Sequence, residues 1–268
     1  MKAEELKICG LAAVKARFER DPASIVRLFC DLPTSRKIAK LLKALAEARK
    51  VYRCVEPAEL EKISGSLHHG GIVAVVSGEV SQPVTPADVA AWAQARESLL
   101  ILDRIGNAHN LGALVRTAAF FGIPRVIVTD EPGAARPNEA AYRVAEGGFE
   151  WLTVHRVRSL PPFLRDLAAA GYEVIGAATR SAAAARTARP PKYVARALVM
   201  GNEEHGLATD VTAACTRLET IPGTGKVESL NVSVAGAVLM WEYLRGGARG
   251  SGGPPLFLNA EHGGPPLL

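Results

Sequence analysis

The chain has 268 residues, enough for one large or two small domains. With 48% hydrophobic and 22% charged residues it has an ordinary soluble, globular composition, and its longest apolar runs, such as 198–200 and 232–241, are too short or too mixed to span a bilayer. A net charge of +5 and a pI near 9.1 form a mild basic bias that does not by itself name nucleic acid as a partner.

The front of the chain alternates helix and strand patterns. Residues 11–20 have helical spacing, stopped by Asp21 and Pro22. Residues 24–29 suit a short buried strand. Thr34 can cap a helix over 35–49 with Ile38, Leu41, Leu42 and Leu45 on one face. Strands are expected at 51–55 and 72–76, with a short helix at 58–63 opened by Pro57. Residues 77–84 are rich in turn formers and read as a linker, after which Thr85 caps a helix over 86–95.

Beyond the linker, strands are expected at 99–102, 125–128, 151–155, 173–177, 197–200 and 217–221. Helices are expected at 112–121, 139–145, 160–170, 209–213 and 230–244. Strands separated by helices imply a parallel sheet covered on both faces, with ligands at the carboxyl ends of its strands. Residues 180–192 read as a mobile loop, and the Gly- and Pro-rich tail 246–268 as disordered. The expected organisation is therefore a small α/β unit over 1–80, a linker and short helix over 81–97, a larger parallel α/β domain over 98–245, and the tail.

Charge is unevenly placed. Residues 1–85 hold 14 Lys and Arg against 10 Asp and Glu, a net of +4. Arg36, Lys37, Lys40, Lys43, Arg49 and Lys50 face a single acid, Glu47. Such a cluster either neutralises RNA phosphates or forms a solvated helix face. Cys9, Cys30, Cys54 and Cys215 are scattered, so reduced, mostly buried thiols are expected rather than a metal site. His68, His69, His109 and His205 are not at metal-ligand spacing with acids or cysteines. Without the apolar core and small-residue cleavage site of a secretion signal, the chain is expected in the cytoplasm.

Three polar motifs break the apolar pattern, each just after an expected strand. The first runs from Asn110 through Gly112 to Arg116, Thr117 and Ala118. Asn110 stands where a side chain can cap a helix, Gly112 permits close backbone approach, and Arg116 offers a fork for a phosphate. The second, 201–207, has Gly201 and Gly206 bracketing Asn202, Glu203, Glu204 and His205. The third, 221–235, places Gly223 and Gly225 before Ser229, Leu230 and Asn231 at the start of a long apolar helix. Each alone is compatible with a capped helix or a turn. No phosphate-binding glycine loop follows the first strand of the larger domain, which argues against a dinucleotide site.

Together, in this order, the motifs resemble those of the SpoU branch of the SPOUT (TrmH-like) RNA 2′-O-ribose methyltransferases, over about residues 98–245. The front unit resembles the ribosomal-protein-like substrate-binding module of several such enzymes, through Ile8 to Leu11 and His69 to Gly71. The resemblance implies a parallel-sheet SPOUT domain with a deep trefoil knot, a homodimer, S-adenosyl-L-methionine as cofactor, and no metal. Gly201, Ile221 and Leu230 would contact the cofactor, with Met200, Asn202, Pro222 and Ser229 adding contacts. Arg36, Lys37, Lys40 and Lys43 would bind RNA.

The resemblance makes Arg116 the residue that orients the ribose, with Asn110, Glu203, Ser229 and Asn231 holding it and the loops in place. Proton acceptance by Arg116 is the further option, opposed by the very high pKa of guanidinium. Many members carry methionine where this chain has Gly223, which marks a difference in the third loop. Ribosomal RNA is the favoured substrate. Transfer RNA, or a catalytically silent assembly factor, are the alternatives.

Overall fold

The computed structural model describes residues 5–78, 81–178 and 195–244. The expected loop at 180–192 and the tail at 246–268 lie outside the described residues. The elements are β1 (Glu5–Cys9), α1 (Leu11–Arg20), β2 (Ile25–Cys30), α2 (Leu32–Lys37), α3 (Ala39–Glu47), β3 (Val51–Cys54), α4 (Pro57–Ser64), β4 (Ile72–Ser77), β5 (Gln82–Pro83), α5 (Pro86–Ala95), β6 (Leu99–Leu102), α6 (Ala108–Phe120), β7 (Arg125–Thr129), α7 (Glu139–Ala145), β8 (Thr153–Val157), α8 (Leu160–Ala169), β9 (Tyr172–Ala177), β10 (Ala195–Met200), α9 (Thr209–Ala214), β11 (Arg217–Glu219) and α10 (Val232–Leu239).

They build two sheets. The front sheet has the order β1-β4-β2-β3, with β4 antiparallel to β1 and β2, and β3 parallel to β2. The larger sheet is parallel throughout, in the order β11-β9-β10-β6-β7-β8-β5. Leu99, Leu100, Ile101 and Leu102 of β6 are all buried, as are Ala197 to Met200 of β10. A strand covered on both faces has no polar side, which is why these segments read as continuous apolar runs.

The sheets do not hang on a free tether. Arg17 of α1 pairs with Glu150 at 2.9 Å, Arg20 donates to the Glu150 carbonyl, and Arg17 reaches the Tyr142 hydroxyl at 3.4 Å. Glu150 is 2% exposed, and burial pushes its carboxyl up against the opposing pull of Arg17. Ile8, Val14, Tyr142 and Phe149 share one core, so apolar packing continues across the junction.

Several expectations need correction. The helix expected over 35–49 is two helices. Asp31, not Thr34, is the cap: its carboxylate accepts from the Thr34 amide at 2.8 Å, and Pro33 favours the earlier start. Ile38 leaves the helical region between them (φ −121°, ψ 24°) and buries its side chain in the core. The linker at 77–84 contains β5, whose Gln82 pairs with His155 at the edge of the large sheet, a place that tolerates Pro83. β1 is an additional strand beyond those expected, antiparallel to β4. β8 starts two residues later than expected, because residues 148–150 form a 3₁₀ turn that leaves Trp151 exposed. β11 ends at Glu219, and α10 begins at Val232 before widening into a π-helical turn over Met240–Leu244. Of the thiols, Cys30 and Cys215 are buried, Cys9 is half-buried and Cys54 is exposed.

His155 of β8 is 3% exposed and neither ring nitrogen has a hydrogen-bond partner. Its ring meets Trp92 edge-on, centroids 4.8 Å apart. Burial and then Arg125 push its pKa below 6.5, against the opposite pull of Asp88 and Glu97. The unfolded chain therefore binds a proton more readily than the native one, and stability is lost as pH falls from above 6.5 towards the lowered native value. His155→Phe is expected to flatten this acid limb and to add about 1 kcal/mol at pH 7, since two unsatisfied polar atoms disappear. Urea unfolding at several pH values measures it; an unchanged slope below pH 6.5 would refute it.

Candidate active site

β6 and β10 lie side by side at the centre of the large sheet, with Leu102 opposite Met200. They deliver the first two motifs to one edge. The ladder continues one step further, the Asp103 amide donating to the Met200 carbonyl at 2.8 Å. Asp103 is 1% exposed, and its carboxylate accepts from the Ala208 amide at 3.0 Å and Arg104 Nε at 2.9 Å. This buried carboxylate pins the far end of the 201–208 turn to the end of β6.

The turn closes on itself. Asn202 and Gly206 exchange backbone hydrogen bonds of 3.0 and 2.9 Å. The Asn202 side chain donates to the Arg104 carbonyl at 2.8 Å and accepts from the Glu204 and His205 amides at 3.0 and 3.1 Å. Gly201 is buried against the turn, where any side chain would strike the Gly206 and Leu207 backbone.

Glu203 projects from this turn and gathers the first motif. Its Oε2 accepts from the Gly106 amide at 3.0 Å, and its Oε1 from the Asn107 amide at 3.3 Å and from Asn110 Nδ2 at 2.9 Å. The third motif joins through Asn231, whose Nδ2 donates to Asn110 Oδ1 at 3.2 Å. Asn231 in turn caps α10, its Oδ1 accepting from the Ser233 amide at 2.9 Å. A carboxylate only accepts, so Glu203 fixes the direction of the whole chain: Asn231 donates to Asn110, and Asn110 to Glu203. Burial alone would push the Glu203 carboxyl up, but the Asn110 side chain and the Gly106 and Asn107 amides together hold it below 4.5.

Asn110 is therefore not the cap of its helix. Asn107 is, with its side chain accepting from the His109 amide at 2.8 Å, and α6 starts four residues earlier than expected. Asn110, inside the first turn, is free to reach across.

Arg116 does not join Asn110, Glu203 and Asn231 within the chain. Six residues at 100° each turn it well round α6 from Asn110. Its Nη2 lies 2.9 Å from Glu146 Oε2, with both side chains more than half exposed. Met200 is buried, Ile221 half-buried, and Pro222, Ser229 and Leu230 are exposed in the third loop. Arg36, Lys37, Lys40 and Lys43 are exposed on α2 and α3, far along the chain from this cluster; Lys43 pairs weakly with Glu47 at 3.9 Å. Lys50 is withdrawn from the basic set, since its ammonium is bonded to the Pro22, Ala23 and Ile25 carbonyls. Sequence reasoning missed Asp103 and Glu146. Asp103 carried a signal, an acid directly after an apolar strand at the ligand end of a parallel sheet; Glu146 carried none. Among the described residues, no three His, Cys, Asp or Glu side chains cluster at metal-binding distance.

Glu203→Gln puts an amide donor where donors already point. It is expected to cost about 1 kcal/mol at neutral pH, modest because the site is partly exposed. The native carboxyl titrates below its unfolded value, so its contribution is present above about pH 4.5 and lost as pH falls through the lowered value. The variant should lack that component of the acid limb, and wild-type stability at both pH 7 and pH 3 would contradict it.

Comparison with known proteins identifies the family. Residues 97–241 match the family model described as the SpoU rRNA Methylase family, and residues 7–79 match one described as RNA 2′-O ribose methyltransferase substrate binding. The chain is 34% identical to an uncharacterised tRNA/rRNA methyltransferase, YfiF, of Escherichia coli O157:H7 over 245 residues, covering 91% of this chain and 69% of that one. It is 31% identical to the 23S rRNA (guanosine-2′-O-)-methyltransferase RlmB of Nitrosomonas europaea, covering 89% and 90% of the two chains. The AdoMet-bound rRNA methyltransferase of Sinorhizobium meliloti shares the fold at a TM-score of 0.66 and 22% identity, over 89% of this chain and 86% of that one. Two family models that match residues 7–79 and 97–241, and relatives aligned along nine-tenths of the chain, lead to one conclusion: the chain belongs to the SpoU rRNA methylase family.

Proposed function

We propose that the protein transfers a methyl group from S-adenosyl-L-methionine to a ribose 2′-hydroxyl of ribosomal RNA. The observation that carries this reading is the hydrogen-bonded chain Asn231–Asn110–Glu203, which draws three motifs from distant parts of the sequence to the carboxyl end of one parallel sheet. The names of the relatives, an RlmB that methylates guanosine in 23S rRNA among them, favour ribosomal over transfer RNA. The AdoMet-bound neighbour favours the cofactor.

The residues present suit that cofactor. A Cβ at Gly223 would meet nothing within 4 Å, so the third loop leaves room at its backbone, and Leu230 of the same loop is an exposed apolar side chain. Gly201, Ile221 and Leu230 would hold the cofactor, with Met200, Asn202, Pro222 and Ser229 around them. Bound there, the cofactor supplies a methyl already activated on a sulfonium, and no metal is required. Arg116 aligns the ribose and its phosphate; Asn110, Glu203, Ser229 and Asn231 hold the loops. In-line placement of the 2′-oxygen then carries most of the catalytic burden.

A deep trefoil knot is the reading of the path from β11, at the sheet edge, back to α10 on α6, where Gly236 lies against Leu114. Residues 1–80 act as the RNA-binding unit through Arg36, Lys37, Lys40 and Lys43, residues 81–97 as linker and short helix, and 98–245 as the catalytic domain. Val234, Val238, Leu230 and Phe120 are exposed apolar side chains around α10, and they suit a homodimer interface. The enzyme works in the cytoplasm, where ribosomal RNA is; among the described residues no helix is long and apolar enough to cross a membrane.

Transfer of labelled methyl to unmodified total RNA, followed by nucleoside analysis, tests the proposal. A 2′-O-methylnucleoside in ribosomal RNA is expected. Label confined to transfer RNA would overturn the substrate, and neither label nor cofactor binding would overturn the activity.

A further inference from the structure

Glu146 closes α7 in a left-handed conformation, φ 45° and ψ 44°. Such a position at a helix end favours glycine or asparagine, because a longer side chain pays for it sterically. Glu146 nevertheless keeps a long acidic side chain, and that side chain reaches Arg116 at 2.9 Å. The pair is more than half exposed, so it does not satisfy a buried charge. Strain of this kind persists where the surroundings determine it and is a pointer to function.

The surroundings are specific. A Cβ at Gly147 would lie 3.3 Å from Ala13 Cα and 3.5 Å from the Ala12 carbonyl, both in α1 of the front unit. A Cβ at Gly148 would lie 3.1 Å from Arg116 Cα and 3.2 Å from the Val115 carbonyl, in α6. Residues 146–148 are thus wedged between the front unit and the helix that bears Arg116. A cavity of about 270 Å³ opens alongside, walled by Glu146, Arg143, His68 and Gly10.

We infer that Glu146 is a positioning residue for Arg116, and that through the 146–148 wedge the seating of α1 sets where the guanidinium points. The inference rests on the proposed function and deepens it: RNA held on the front unit is aligned with the arginine through this contact.

Asparagine separates the backbone from the charge, because it accepts the left-handed conformation and cannot pair with Arg116 as a carboxylate does. Glu146→Asn is expected to unfold at the same temperature or higher, to bind S-adenosylmethionine as the wild type does, and to lower kcat on unmodified ribosomal RNA about tenfold. Glu146→Asp, which keeps the charge and also tolerates the backbone, is expected to recover most of that loss. Wild-type kcat in Glu146→Asn would overturn the inference while leaving the function intact. So would a fall in kcat that only tracks lost thermal stability or cofactor affinity. A wild-type chain that transfers no methyl, or an Arg116→Ala variant with full kcat, would overturn the inference together with the reading beneath it.

Discussion

Replacing Gly201 by alanine is expected to weaken binding of S-adenosylmethionine substantially. The added Cβ would lie 2.3 Å from the Gly206 carbonyl carbon, 2.4 Å from the Leu207 amide nitrogen and 2.7 Å from the Gly206 oxygen. These are backbone atoms of a turn locked by the paired Asn202 and Gly206 bonds and tied down by Asp103, so none can swing aside. Nor can the strand retreat, since Met200 is 1% exposed and in register with Leu102. The turn must therefore open, which carries Glu203 away from Gly106, Asn107 and Asn110. Overpacking of this kind costs about 1–3 kcal/mol, or about 2–4 °C in Tm for each kcal/mol in a chain of this size. Cofactor affinity, which depends on loop placement, should fall by at least about tenfold. Isothermal titration and thermal unfolding read both effects; wild-type affinity in a folded variant would show that the turn is not part of the cofactor site.

How much of this could be read from residues alone depends on how local each cause is. The capping box of Thr85 and Asp88 is complete within four residues, and α5 forms where the sequence places it. The all-apolar runs of β6 and β10 announce burial on both faces. The cap of α6 could not be settled in that way. Asn107 and Asn110 are both competent caps, and the choice turns on Glu203, almost a hundred residues away, which takes Asn110 for itself. The same holds for Lys50, a basic residue among basic residues until three carbonyls of the 22–25 segment claim it. β5 has only two residues, too few to show a period. Glu146 runs against local preference, since nothing in its neighbours predicts a glutamate with positive φ. The three motifs are legible in the sequence; the hydrogen bonds that join them are set by the fold.

Arg116→Ala is expected to lower kcat on ribosomal RNA by about 10²–10⁴ while changing cofactor affinity less than twofold. The second half follows from geometry. Arg116 lies round the helix from Asn110 and pairs with Glu146, not with any residue of the 201–207 turn or the third loop. Its loss should also leave the fold almost untouched, because an ion pair with both partners more than half exposed contributes about 0–1 kcal/mol. A dead variant that is folded and still binds cofactor would therefore report on catalysis alone. What the arginine does can then be divided. Guanidinium stays protonated through any working pH, so alignment by its two-pronged fork is the role that physics allows without further cost. Arg116→Lys keeps a positive charge but loses the fork. If alignment is the role, lysine should restore much of the RNA KM and little of kcat. It should leave the pH profile of kcat/KM without a new basic limb between pH 7 and 9. If the side chain instead accepts the 2′-hydroxyl proton, lysine, the more easily deprotonated base, should outperform alanine increasingly as pH rises. A kcat that climbs with pH in Arg116→Lys alone would overturn the alignment role in favour of proton transfer.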